Sequence, residues 1–308
     1  SEQVIFTPSC TEALNLAILG TLHQGDEVIC SHGEHNAVMR PLYHLASTGQ
    51  ITLRVLTPDP MGILQPHTLQ SAIGPRTALV VLCHASNVTG VIQPISRLGA
   101  ICQENGVPLL VDAAQTAGVL DVSLHALNAD MIAMPGHKGL LGPHGVGLLV
   151  LRRGVCPEPL IRGGTGSVSE SMEQPESLPD RYESGTLPLP NIAGLLLGIR
   201  FVRAHLAEIR EYEDALNRRL REGLEHIPGI RCLGHPDAPR VGITSFVPRR
   251  MDGGALSDSL DQAGFALRGG LHCAPAMHTW LGTLRSGALR ASVGIYNTEE
   301  EVDALVAL

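Results

Sequence analysis

Aromatic residues are scarce in this chain. Phe, Trp and Tyr make up 3% of its 308 residues, while hydrophobic types together reach 44%. Such a core is aliphatic, and there is enough of it for one large domain and a smaller one. No Lys/Arg-rich run is present and the formal net charge is −8, which argues against a nucleic-acid surface. No apolar run approaches the length that spans a bilayer, so no membrane segment is expected. The seven cysteines (Cys10, Cys30, Cys83, Cys102, Cys156, Cys232 and Cys273) are odd in number and form no CxxC pair. Their spacing suggests neither a zinc site nor a disulfide framework, so no metal is expected and a reducing cytoplasm is the default compartment. No signal peptide is expected, because the chain opens on a strand-like run from Ser1 to Thr7.

What is present alternates between two patterns. Short apolar runs at Val4–Thr7, Glu27–Ser31, Thr52–Thr57, Ala78–His84, Pro108–Ala113, Met131–Met134 and Val146–Leu151 read as strands. Amphipathic stretches such as Thr11–Leu22, Asn36–Ser47 and Ile95–Asn105 read as helices between them. Strands apolar throughout and separated by helices predict an α/β fold with a mostly parallel sheet covered on both faces. Residues 154–190 are rich in Gly, Pro, Ser and Glu, and lack periodicity. A long helix is expected over Asn191–His226. A strand (Val241–Val247), a helix (Gly254–Ala263), a second strand (Leu289–Ile295) and a terminal helix (Thr298–Leu308) then suggest a small α+β domain. The expected division is 1–190 and 191–308.

Lys138 lies in Gly136-His137-Lys138-Gly139, just past one apolar strand, and Asp112 ends another strand 26 residues earlier. Ligands of parallel α/β sheets bind beyond the carboxyl ends of the strands. A lysine and an acid at two such ends are what pyridoxal 5′-phosphate (PLP) needs. The amine bonds the cofactor aldehyde, and the acid keeps the pyridine nitrogen protonated.

Eight motifs in order extend this reading over essentially the whole chain: Phe6-Thr7-Pro8-Ser9-Cys10-Thr11-Glu12-Ala13-Leu14-Asn15, Glu34-His35-Asn36, Ser86-Asn87-Val88-Thr89-Gly90, Asp112-Ala113-Ala114-Gln115, Gly136-His137-Lys138, Tyr182-Glu183-Ser184-Gly185-Thr186, Gly270-Leu271-His272-Cys273-Ala274 and Arg290-Ala291-Ser292-Val293. With them the chain resembles the cysteine desulfurases of the class-V aminotransferase superfamily, PLP fold type I. The resemblance implies a large PLP-binding domain, a smaller C-terminal domain, and a dimer and active-site loop over 154–190. It implies that Lys138 holds PLP, that Asp112 pairs with the pyridinium and that Gln115 bonds the ring hydroxyl. Asn87 lies on that same side. His35 would stack on the ring and relay protons. His137 and the Ser9-Cys10-Thr11 turn would hold the phosphate, with Cys10 acting through its backbone. Relatives carry a serine where this chain has Pro135, so Thr186 of a neighbouring subunit is expected to help, in a homodimer. Arg290 would clamp the substrate carboxylate, alongside Asn87.

Cys273 separates the chemistries the resemblance allows. It lies in a loop with glycines before it and Pro275 after it, an exposed and mobile setting in which His272 and Arg268 favour the thiolate. That fits a desulfurase that converts L-cysteine to L-alanine, holds the sulfur as a persulfide and passes it to an acceptor protein. A selenocysteine lyase would use the same residues, and another class-V aminotransferase or lyase would need no such thiol. A PLP-fold scaffold without turnover is opposed by the intact Asp112 and Lys138 pair. Family members begin several dozen residues earlier, so the N-terminal part of their small domain is expected to be absent here.

Overall fold

The structure is a computed structural model that describes residues 3–308; Ser1 and Glu2 of the expected first strand lie outside the described residues. In chain order the first part runs β1 (Gln3–Thr7), α1 (Cys10–Thr21), β2 (Glu27–Ser31), α2 (Asn36–Ser47), β3 (Thr52–Leu56), α3 (Pro66–Ala72), β4 (Thr77–Cys83), α4 (Ile95–Glu104), β5 (Leu109–Asp112), α5 (Leu124–Leu127), β6 (Met131–Pro135) and β7 (Gly147–Leu151). The second part runs α6 (Leu189–His226), β8 (Ile230–Cys232), β9 (Ile243–Pro248), α7 (Gly253–Gln262), β10 (Arg268–Gly270), α8 (Pro275–Trp280), β11 (Ala288–Ser292) and α9 (Glu299–Ala307).

Seven strands form one sheet in the order β1-β7-β6-β5-β4-β2-β3. The five from β6 to β3 run parallel, and β7 is antiparallel to both of its neighbours. The central strands β2, β4, β5 and β6 are almost wholly buried and mostly apolar because both faces are covered, whereas edge strand β3 carries exposed Thr52 and Arg54. Alternate residues serve opposite cores: Ile29, Val80, Leu82 and Val111 pack with α3 and α4, while Val28, Cys30, Val81 and Leu110 pack with α1 and α2. Burying each such side chain contributes roughly 1.5–3 kcal/mol. β1 lies antiparallel to β7 and therefore runs in the direction of β6. The carboxyl ends of β1, β2, β4, β5 and β6 thus share one edge of the sheet, and the site forms there.

The second sheet is antiparallel, in the order β10-β11-β9-β8. Leu216, Leu220 and Leu224 of α6 pack on it with Phe246, Leu260, Leu289 and Val302. Helix α6 bends at His205, where φ is −123° and ψ is 15°. The short β8 and β10 carry too few residues for a readable alternation, and the sequence reading missed them. The short helices α3 and α8 escaped it too; each begins at a proline, where the missing N–H costs nothing.

Between β7 and α6 the chain has neither helix nor strand, as its composition predicts. It is nevertheless tied down by its own side chains. Gln174 Nε2 donates to the carbonyls of Asp180 (3.3 Å) and Arg181 (3.1 Å), and Tyr182 Oη donates to Pro157 O (2.8 Å). The Phe6 N–H on edge strand β1 donates to Glu183 Oε1 at 2.7 Å. Leu160, Ile161, Val168 and Met172 stand exposed along this segment.

Candidate active site

The turn after β1 leads straight into α1. Ser9 caps that helix, its Oγ accepting the Glu12 N–H (3.2 Å), while Thr7 Oγ1 donates to Ser9 O (2.9 Å). The N–H groups of the first turn and the helix dipole together suit an anion. Gly147 of β7 lies directly beneath: a Cβ placed there would come 2.3 Å from the Ser9 carbonyl carbon. The glycine is what lets the helix start so close to the sheet.

An open cavity of about 190 Å³ occupies this edge. Ser9, Cys10 and Thr11 line one wall. Asp112 and Gln115 follow β5, His137 and Lys138 follow β6, Asn87 follows β4 and His35 follows β2, and all six reach the same cavity. Nine of the twelve residues expected from the sequence therefore meet in one place.

The other three lie around it. Cys273 lines a neighbouring groove that shares Thr11, His35 and Ala37 with the cavity. Arg290 of β11 reaches back to donate to the Asn87 carbonyl (3.0 Å), and its buried Nε has no partner among the described residues. Thr186 is exposed and lies away from the cavity of its own chain.

Asp112 is buried. Its Oδ1 accepts the Ala114 N–H at 2.9 Å, and the Cys10 thiol sits 3.8 Å from the same oxygen. Cys10 therefore faces the site with its side chain as well as with the backbone through which it was expected to act. His35 caps α2, its Nδ1 accepting the Ala37 N–H (3.0 Å). Burial lowers its pKa, helped by Lys138, Arg268 and Arg40 and opposed by Asp112. A neutral His35 with Nδ1 occupied carries its proton on Nε2. The His137 ring lies 4.7 Å from that of His144, and burial, then His144 and Lys138, lower its pKa.

The Cys273 loop, expected to be exposed and mobile, is tethered by hydrogen bonds and partly buried. Cys273 is half-buried, and its carbonyl accepts the Asn36 N–H (2.7 Å). The Asn87 side-chain amide donates to the His272 carbonyl (2.5 Å). His272 is buried, and burial, then Arg290, push its pKa down to about 4. It is neutral near pH 7 and lends the thiol no charge. Arg268 is the cation at hand, with Nη2 3.8 Å from Cys273 Sγ. Arg268 and Arg290 face each other across the β10–β11 ladder, a like-charge pairing that an anion between them would relieve.

The sequence reading gave Glu34 no role. It is fully buried beside His35, accepts from Ser31 Oγ (2.6 Å) and the Cys83 N–H (3.1 Å), and burial raises its pKa to about 8. A carboxyl adjoining an apolar strand end was the available signal. A second signal was compositional: Lys138 is the only lysine in the chain, against 21 arginines.

The sequence matches the class-V aminotransferase family over residues 1–305. This chain belongs to that family. Among similar curated proteins is a probable cysteine desulfurase of Methanothermobacter thermautotrophicus, 35% identical over 99% of this chain and 78% of that one. A cysteine desulfurase of Salmonella typhimurium is 35% identical over 100% of this chain and 77% of its own. Among solved structures, an apo cysteine desulfurase from Thermococcus onnurineus NA1 superposes with a TM-score of 0.89 at 32% identity, covering 99% and 78% of the two chains. The cysteine desulfurase CsdA of Escherichia coli gives a TM-score of 0.90 at 28% identity, over 99% and 77%.

Members of the class-V aminotransferase family are PLP-dependent, and the donor set of this chain fits that cofactor. The cavity offers one amine, one buried carboxylate, a helix N-terminus for a phosphate, and a buried Asn87 Oδ1 without a partner among the described residues. Among those residues no group of three or more His, Cys, Asp or Glu could hold a metal ion, and no helix is long and apolar enough to cross a membrane.

Proposed function

We propose that this chain is a PLP-dependent cysteine desulfurase that converts L-cysteine to L-alanine and holds the sulfur on Cys273. The observation that carries the reading is the Cys273 thiol, tethered beside the cavity of Lys138 and Asp112 with Arg268 at 3.8 Å. When bound, PLP supplies an electron sink for bonds at the substrate α-carbon. Lys138 would hold the cofactor through its amine and would move protons at the substrate α-carbon. Asp112 would hold the ring nitrogen protonated. Gln115 and Asn87 would hold the ring hydroxyl side, and His35 would lie against the ring with its Nε2–H available to the substrate. His137, Ser9, Cys10 and Thr11 hold the phosphate. Arg290, with Asn87, orients the substrate carboxylate.

The Cys273 thiolate attacks the substrate sulfur. A sulfur–sulfur bond forms, the carbon–sulfur bond breaks, and its electron pair is protonated as alanine leaves. A protein acceptor or a thiol reductant then removes the terminal sulfur. The seven thiols are all free in the structure, which suits a reducing compartment such as the cytoplasm.

We infer a homodimer in which Thr186 completes the partner's phosphate site. Pro135 offers no donor, Thr186 is exposed, and four exposed apolar side chains line its segment. Size measurement tests this part: a monomer that binds PLP tightly sinks it. The activity is tested by incubating the PLP-loaded protein with L-cysteine and a thiol reductant. Sulfide and alanine should form one for one. Alanine-free turnover, or release of a keto acid in place of alanine, overturns the reading.

A further inference from the structure

Cys10 is the first residue of α1, and its thiol faces the carboxylate that ends β5. Its Sγ and the Ala114 N–H both converge on Asp112 Oδ1, at 3.8 Å and 2.9 Å. No hydrogen bond reaches Oδ2 among the described residues, although Asp112 is only 5% exposed and walls the cavity. A carboxylate turns freely about its Cβ–Cγ bond unless something holds one oxygen. Here two donors from two different elements hold the same one.

The thiol stays a donor. Burial, and then the charge of Asp112, raise its pKa well above the ordinary value, with Lys138 opposing. At neutral pH an S–H therefore faces the carboxylate rather than a thiolate that would repel it. The other titratable groups whose charge acts on this region are Lys138, His35, Glu34 and Cys83.

We propose that Cys10 is a positioning residue whose S–H, together with the Ala114 N–H, locks Asp112 so that Oδ2 is presented to a protonated ring nitrogen. This rests on the PLP reading above. An S–H is a weak donor. It fixes the orientation while withdrawing little charge from the carboxylate that must hold the ring proton. A hydroxyl in its place would hold Asp112 as firmly and make it less basic.

The test uses the protein loaded with PLP labelled with ¹⁵N in the ring, and compares wild type with Cys10→Ala, Cys10→Val and Cys10→Ser. The ¹⁵N shift reports ring protonation as pH rises, and dialysis reports cofactor affinity. Cys10→Ala and Cys10→Val should bind PLP about 2- to 3-fold more weakly, the low end for a hydrogen bond, because the lost donor is weak and holds Asp112 rather than the cofactor. Their ring nitrogen should deprotonate at lower pH than in wild type. Cys10→Ser should keep affinity within about twofold, since it keeps a donor, yet also deprotonate earlier. Valine fills the space of the thiol without a donor, so a purely packing role would leave its ¹⁵N curve close to that of wild type. Superimposed curves and equal affinities for all four proteins overturn the proposal. A wild type that never links PLP to Lys138 overturns the parent reading instead.

Discussion

Gly147→Ala is the change that tests how the anion cradle is built. The built Cβ meets Ser9 C at 2.3 Å, Cys10 N at 2.6 Å and Ser9 O at 2.7 Å. All three are backbone atoms, so no side chain can swing aside. Ordinary contact begins at 3.4 Å, so the start of α1 must move off the sheet by about 1 Å. Such overpacking costs about 1–3 kcal/mol of stability. The same shift withdraws the N–H groups of the first turn from the place where a phosphate would sit. Losing one charge-assisted hydrogen bond costs about 1.5–3 kcal/mol, so PLP should bind at least about tenfold more weakly. Urea unfolding of the apo protein and absorbance titration with PLP measure the two effects. Gly164→Ala is the control, because a Cβ there meets nothing within 4 Å; its effects should stay within about 0.5 kcal/mol. Wild-type stability and wild-type PLP affinity in Gly147→Ala would refute the claim that this glycine sets the cradle.

Borohydride reduction of the PLP-loaded protein should fix the cofactor on Lys138, the one ε-amine available, and mass spectrometry of an adduct at the N-terminal amine instead would contradict the site. Asp112→Asn should keep the fold and most PLP binding yet lose about 100-fold or more in turnover of L-cysteine; near wild-type rates would show that the charge is dispensable. Cys273→Ala should still bind PLP but release no sulfide, and wild type trapped after one turnover should carry about 32 Da, one added sulfur, on the Cys273 peptide; desulfuration by the variant at the wild-type rate would end the mechanism. Glu34 has a folded pKa of about 8 against a usual value of 4.5, so from pH 5 to 8 the folded state holds a proton that the unfolded chain has lost. Stability from this group is therefore present at the acid end and lost as pH rises. Glu34→Gln should flatten that slope in urea melts at pH 5 and pH 8, and identical slopes would contradict the assignment.

The large sheet was legible because its strands obey one simple rule. Residues such as Val28 to Ser31 and Leu79 to Cys83 are buried on both faces, so their apolar runs are unbroken and bounded by turns. Asp112 and Lys138 then stood out as charges at the ends of such runs. The second sheet was harder: β8 and β10 have three residues each, and Arg268-Gly269-Gly270 shows no alternation at all. Their pairing is decided by contacts with β9 and β11, far away in the chain. The glycines and proline around Cys273 suggested mobility, but the tethers that hold the loop come from Asn36 and Asn87. Side-chain direction was equally hidden. Nothing in the spacing tells that the Cys10 thiol meets Asp112, or that His272 turns inward and becomes neutral.

His272 and Cys273 adopt φ of +50° and +58°, a conformation that suits glycine better than any L side chain. Two such residues in succession store roughly 1–3 kcal/mol each. The stored energy sits on the very residue proposed to carry sulfur. A glycine at 273 would relieve its share and drop the thiol, so Cys273→Gly should outlast wild type under denaturant while doing no chemistry. A sturdier fold and the thiol thus pull in opposite directions at this position.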